Sequence, residues 1–303
     1  ESAVKLGALY PDSVKTVKQT ADYVPSPKIW ENRADFDAQI AKFTAAVTEA
    51  KGKIKDLDKL DAALPGIGKA CAERFAAAGA NLLLIARRLG RIKELQAELS
   101  RENSVGIDCF SLDVRDREAV RKFAAELTDR KLTPDILINN AGLASGLNSL
   151  QEGDWDDWDR MIDTNIKGLL NVSRCLIPLM IAAGRGHIVN VGSLAGYQVY
   201  PKGNVYNATK FAVRALSEGM NIDLAGTGIR VSMISPGAVN TEFSEVRFHG
   251  DREAAARVYE GYTPLYAEDV AEAVYFIVNA PPHVNVQNML ITPTAQRNVY
   301  CVD

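Results

Sequence analysis

From Asn81 onward, short apolar runs alternate with longer stretches of helical periodicity, and this alternation constrains the fold more than any single residue. NLLLIA at 81–86, VGIDCFSLDV at 105–114, DILINN at 135–140, HIVNVG at 187–192, IRVSMI at 229–234 and NMLITP at 288–293 are brief and rich in Val, Ile and Leu. Runs of that kind read as strands covered on both faces. Between them lie helical segments at 90–100, 115–129, 154–183, 203–225 and 267–279. The spacing therefore predicts an α/β chain with a doubly wound parallel sheet, whose ligands sit beyond the carboxyl ends of the strands.

The chemistry concentrates on Ser193, Tyr206 and Lys210. Tyr206 and Lys210 are four apart in NVYNATKFAVRALSEGM, so on a helix their side chains share a face. An ammonium beside a phenol lowers the phenol's pKa; bringing it from roughly 10 toward neutrality takes about 3 units, or ~4 kcal/mol. Such a tyrosine exchanges a proton with an alcohol or carbonyl oxygen. Ser193 follows the run HIVNVG, and its hydroxyl is placed to hydrogen-bond the same oxygen.

These residues keep company with NNAG at 139–142, Asn165 in DTNIKG and SPG at 235–237. The ordered set resembles the short-chain dehydrogenase/reductase family from about Gly66 to Gln296. The resemblance implies a Rossmann-like fold. It makes Tyr206 the general acid in carbonyl reduction and the base in alcohol oxidation, Ser193 the group that orients the substrate oxygen, Lys210 the residue that holds the cofactor ribose and tunes Tyr206, and Asn165 the anchor of a proton-relay water. It also places Asp113 at the adenine, Asn139 and Gly142 along the cofactor cleft, and Pro236, Gly237 and Thr241 beside the nicotinamide.

The glycine loop departs from the family pattern. Where the family has an apolar strand running into TGxxxGIG, this chain has DAALPGIG at 61–68. Gly66, Ile67 and Gly68 keep the end of the cofactor-binding loop, whose glycines let backbone approach a pyrophosphate at a helix N-terminus. Asp61, Ala62 and Pro65 replace its start, and Pro65 removes one N–H donor. Upstream, KGKIKDLDKLD at 51–61 carries Ile54, Leu57 and Leu60 at three-residue spacing, which is helical. No central first strand is expected before Gly66, and this leaves the edges of its neighbours unpaired unless they close together or another segment fills the gap.

Residues 1–71 have another resemblance, to the cytochrome c-prime class. In TADYVPSPKIWENRADFDAQIAKFTAAVTEAKGKIKDLDKLDAALPGIGKAC, the residues Phe36, Ile40, Phe43 and Val47 form one apolar face, predicting a helix over 32–50. Haem attachment needs C-x-x-C-H, and Cys71-Ala72-Glu73-Arg74-Phe75 lacks the second thiol and the histidine. No haem is expected. The two resemblances meet at PGIGKAC, dividing the chain into a helical N-terminal segment, 1–60, and a dinucleotide-binding domain, 61–303.

Cofactor choice is written at the end of the second family strand. NAD-selective sites place an acidic residue about 20 positions beyond the glycine loop. Ala86, Arg87 and Arg88 stand there instead, and two guanidinium groups suit the 2'-phosphate of NADP. The C-terminal third resembles NADP-dependent 3-hydroxy acid dehydrogenases. This implies a small hydroxy acid or carbonyl substrate, a cover over it at 242–263, and Arg247 as partner of the substrate carboxylate. His249 and His283 read as loop or packing residues, and no spacing suggests a metal.

Composition excludes other classes. The net charge is -3, against nucleic-acid binding. No apolar run approaches the ~20 residues of a membrane span, and the four cysteines, 71, 109, 175 and 301, fit a reducing, cytoplasmic setting. The helices at 154–183 and 203–225 imply, by resemblance, a dimer or tetramer. An alternative function stands beside the enzyme: a reductase scaffold kept for binding or assembly after its glycine loop was altered.

Overall fold

The computed structural model describes residues 66–300. The helix expected at 32–50, the stretch 54–61 and the segment 1–60 lie outside the described residues.

Helix α1, Ile67–Ala77, opens the described chain. It ends at Gly79, whose φ of +84° only glycine adopts readily; the Gly79 N–H bonds the Ala76 carbonyl at 2.8 Å. Strand β1, Leu82–Ala86, leads through α2, Leu89–Glu102, to β2, Ile107–Ser111. Helix α3, Arg117–Asp129, is capped by the Asp116 carboxylate, which accepts from the Ala119 N–H. Then come β3, Ile136–Asn139; α4, Trp155–Ile162; α5, Leu169–Ala183; β4, Gly186–Val191; α6, Asn204–Asp223; and β5, Ile229–Pro236. Two short helices, α7 at Phe243–Arg247 and α8 at Arg252–Arg257, form the segment expected to cover the substrate. Helix α9, Ala267–Val278, and β6, Asn288–Ile291, complete the fold.

All strand pairs are parallel, and side-chain alternation sends successive residues to opposite faces. On β4, Ile188 joins Val120, Leu127, Leu176 and Met180 under α3 and α5. Its neighbours Val189 and Val191 join Phe75, Val270 and Val274 under α1 and α9. Each such side chain contributes roughly 1.5–3 kcal/mol by burial. The doubly wound layout thus follows from apolar side chains on both faces of β4 and β5.

Among the described residues the strands form two ladders: β1 pairs with β2, and β3, β4, β5 and β6 form a second in that order. Among the described residues, no strand links β1 to β3. Every residue of β1 is partly exposed, whereas five of the six in β4 are buried. β1 and β3 do not pair directly, and the stretch expected to lack a first strand lies outside the described residues.

Two readings need correction. The segment 154–183 is not one regular helix: the six residues Asp163–Gly168 between α4 and α5 form a π-helical turn, the kind of irregularity that often marks functional positions. The stretch Trp155–Ala183 is also long and apolar enough to cross a membrane by length and composition, contrary to the expectation from counting apolar runs. Its apolarity has a core role, because Val172, Leu176 and Met180 pack beneath it against β4 and β5.

Candidate active site

Ser193, Tyr206 and Lys210 converge at the carboxyl end of β4. Ser193 caps a 3-10 turn at Leu194–Gly196, its Oγ accepting from the Ala195 N–H at 3.1 Å. This leaves the hydroxyl proton free to be donated. Tyr206, on the first turn of α6, is buried among Leu143, Ala144, Met161 and Ala195, with Phe243 edge-on at 5.6 Å between ring centroids. Lys210 is buried one turn later, and its Nζ donates to the Val191 carbonyl at 2.9 Å. α6 passes closely because Gly196 lacks a side chain: a Cβ there would meet the Lys210 carbonyl oxygen at 2.8 Å.

The electrostatics differ from the simple tyrosine–lysine picture. Burial pushes the Tyr206 phenol well above its ordinary range, and nearby Tyr200 adds to this. Opposing them are a hydrogen bond with Ser193 and the positive charge of Arg247. Lys210 is itself pushed down to about 8 by burial, and its Nζ lies 5.9 Å from the Tyr206 ring centroid. The cation that lowers the phenol in this structure is therefore Arg247, whose guanidinium carbon lies 5.4 Å from the same ring.

Arg247, on α7, stands over both Tyr206 and Tyr200 and donates to the Tyr200 hydroxyl. Its Nε is buried without an acceptor, and an unsatisfied donor of that kind costs about 1–3 kcal/mol. An anionic group entering beside Tyr206 would satisfy it. Ser145, Asn148, Trp158, Met161, Tyr206 and Arg247 line a narrow cleft beside the Tyr206 ring. Asp157 braces one wall: it accepts from Ser145 Oγ at 2.5 Å and lies 3.2 Å from His249 Nε2. His249 thus packs against Asp157, and His283 is exposed.

Asn165 sits on the π turn with its amide fully engaged. Its Oδ1 accepts from the Leu143 N–H at 2.8 Å, and its Nδ2 donates to the Leu143 carbonyl at 2.8 Å and to Thr209 Oγ1 at 3.0 Å. Gly142 lies alongside; a Cβ there would come within 3.3 Å of Asn165 Oδ1 and 3.6 Å of Lys210 Nζ. Asn139 directs its amide away from the strand end, to Asn190 Oδ1 at 2.9 Å and Ser173 Oγ at 3.2 Å.

The remaining predicted cofactor residues line the strand ends. No side chain caps the N-terminus of α1 at Gly66, so the N–H groups of Ile67 and Gly68 stay available to an anion. Pro236 ends β5, and the Gly237 N–H donates to the Ile291 carbonyl at 2.7 Å. Thr241 is buried and accepts from the Phe243 N–H at 3.3 Å. The Asp113 carboxylate is gripped by Arg115, with contacts of 2.6 and 3.0 Å, and held below its usual range by that contact and by the charge of Arg87. Arg88 and Arg91 converge on the Glu242 carboxylate at 3.2 and 2.6 Å. Two guanidinium groups already holding a carboxylate form a site that fits a phosphate. The sequence reading missed Arg91, Glu242, Tyr200 and Asp157, since their partners lie far along the chain.

The family model described as short chain dehydrogenase matches residues 61–251. The chain belongs to that family. This short-chain dehydrogenase is 45% identical over 235 residues to the sulfoacetaldehyde reductase of Chromohalobacter salexigens, covering 77% of this chain and 92% of that protein. It is 41% identical to the NADP-dependent 3-hydroxy acid dehydrogenase YdfG of Escherichia coli K12, covering 77% and 93%. A closed form of serine dehydrogenase complexed with NADP+ superposes with a TM-score of 0.72 at 42% identity, over 76% of this chain and 92% of that one. A second family model, Cytochrome C', matches residues 1–73, so the two matches overlap at 61–73. Within that overlap Cys71 is buried in α1, and burial pushes its thiol up to about 12, far from a reactive thiolate.

Proposed function

We propose that this oxidoreductase moves a hydride between NADP and a small acid that carries an alcohol or carbonyl near its anionic group. One observation carries the reading: Arg247 presents a buried, unpartnered Nε beside Tyr206, so an anion and a reacting oxygen fit the same small cleft. The named relatives support it, since one acts on sulfoacetaldehyde and another on 3-hydroxy acids. A sulfonate and a carboxylate make the same demand on a guanidinium.

NADP, when bound, supplies or accepts the hydride. Gly66, Ile67 and Gly68 would receive its pyrophosphate, Arg88 with Arg87 its 2'-phosphate, and Lys210 its ribose, while Asp113, Asn139, Gly142, Pro236, Gly237 and Thr241 would line its path. In carbonyl reduction Tyr206 donates its phenolic proton to the substrate oxygen, and Ser193 donates a second hydrogen bond to it. In the reverse direction Tyr206 takes the alcohol proton. Asn165 positions the loop at Leu143 and Thr209, and through them the proton path behind Tyr206. Residues 61–303 form the reductase domain. Leu170 and Ile181 on α5, with Phe211 and Ile222 on α6, expose apolar side chains, which supports a homo-oligomer built on these helices.

The test is turnover by the full chain, followed by NADPH absorbance, with sulfoacetaldehyde, a 3-hydroxy acid such as serine, and a neutral aldehyde of equal size. Turnover of the acids at least tenfold above the neutral aldehyde is expected. NADPH binding without turnover of any of them would favour the scaffold reading, for which Pro65 argues.

A further inference from the structure

Glu242 is the first residue after Thr241, where the chain leaves the nicotinamide side of the cleft and enters the cover. Its carboxylate reaches across to the first turn of α2, meeting Arg88 Nη2 at 3.2 Å and Arg91 Nη1 at 2.6 Å. The contacts span more than 150 residues of sequence, and they join the two sides of the cofactor cleft. One carboxylate neutralises only one of the two guanidinium charges. A phosphate monoester carries a charge of roughly -1.5 to -2 near neutral pH and has more oxygens to share. It therefore outcompetes a carboxylate for a pair of arginines. Arg88 and Arg91 are the pair that converges on this one carboxylate.

We propose that Arg91 completes the 2'-phosphate subsite with Arg88, and that Glu242 is its internal ligand: it holds the cover to α2 until the 2'-phosphate displaces it. Selectivity for NADP is thereby coupled to freedom of the cover, because a cofactor without the 2'-phosphate leaves the Glu242 contacts in place. The proposal rests on the NADP reading above.

Adenosine 2',5'-bisphosphate tests it, with AMP as the control that lacks the second phosphate, both titrated by calorimetry against the full chain and its Glu242→Gln and Arg91→Ala variants. All three side chains are partly exposed, so the substitutions leave the core untouched. Removal of the competing carboxylate should tighten the bisphosphate about fivefold, the scale of a partly exposed ion pair, and leave AMP unchanged. Arg91→Ala should weaken the bisphosphate about tenfold and spare AMP. Hydrogen exchange over Phe243–Arg257 should quicken when the bisphosphate binds the parent chain, and should already be fast in Glu242→Gln. The proposal is overturned if Glu242→Gln binds the bisphosphate equally or more weakly, if Arg91→Ala binds it unchanged, or if the bisphosphate never exceeds AMP in affinity. Failure to turn over a hydroxy acid while these binding differences hold counts against the substrate reading alone.

Discussion

Tyr206 owes its proton chemistry to neighbours that work against its own burial. Arg247 and Ser193 pull the phenol down while the apolar pocket and Tyr200 push it up. Oxidation of an alcohol requires the phenolate, so removing the cation should raise the pH needed. Arg247→Met is expected to move the alkaline rise of the oxidation rate to higher pH and to raise KM for acids by about tenfold or more. An unchanged pH profile would exclude Arg247 as the tuning charge. Tyr206→Phe should abolish turnover and leave NADPH affinity within about twofold, because the phenol moves a proton and holds little of the dinucleotide. Lys210 makes the opposite kind of prediction, about stability. Its folded pKa of about 8 lies below the ordinary 10.5, so its contribution to stability is present above pH 10.5 and is lost as pH falls through 8. At pH 7 the buried charge costs about 3 kcal/mol, partly offset by its bond to the Val191 carbonyl. Lys210→Met should therefore melt higher at pH 7, by about 2 kcal/mol in unfolding free energy, while losing activity, and the gain should shrink toward pH 10. A variant less stable at neutral pH would show that the lysine is a structural asset.

At the level of elements, the apolar runs declared their own structure. β1, β2, β3 and β6 fall within predicted strands, β4 and β5 overrun theirs by one and two residues, and α3, α6 and α9 fall within predicted helical segments, because strands covered on both faces are rich in apolar residues. The expectation of no strand before Gly66 concerns residues outside those described. The π turn at Asp163–Gly168 was not legible, since it changes hydrogen-bond register without changing apolar spacing. Nor were the Glu242–Arg91 and Asp157–His249 contacts, which join residues brought together only by the tertiary fold. Of the proposed catalytic set, the proximity of Ser193, Tyr206 and Lys210 was legible because one strand end and one helix turn bring them together. Replacing residues 54–65 with an apolar strand and a small-residue glycine loop should raise NADPH affinity about tenfold and slow amide exchange in β1 and β3. Unchanged affinity would mean that Ala62 and Pro65 do not impair the cradle.

Over the described residues, exposed apolar side chains are spread across several elements, Trp155 on α4 and Phe276 on α9 among them, and four lie on the two longest helices. α5 turns Val172, Leu176 and Met180 inward, yet Leu170 and Ile181 remain exposed, as do Phe211 and Ile222 on α6, the last at 76%. Scattered exposure of this kind is ordinary, and the two pairs on these long helices are the candidate for a mating face. If that face closes a two-fold interface, each substitution acts twice, once from each subunit. Ile181→Glu with Ile222→Glu then removes several buried side chains at ~1.5 kcal/mol or more apiece, and should weaken self-association at least a hundredfold. Sedimentation of the parent chain should show a dimer or tetramer, and the double variant a monomer that still carries the Tyr206 site within its own fold. A monomeric parent, or a variant whose mass does not fall, would show that these helix faces do not assemble the protein.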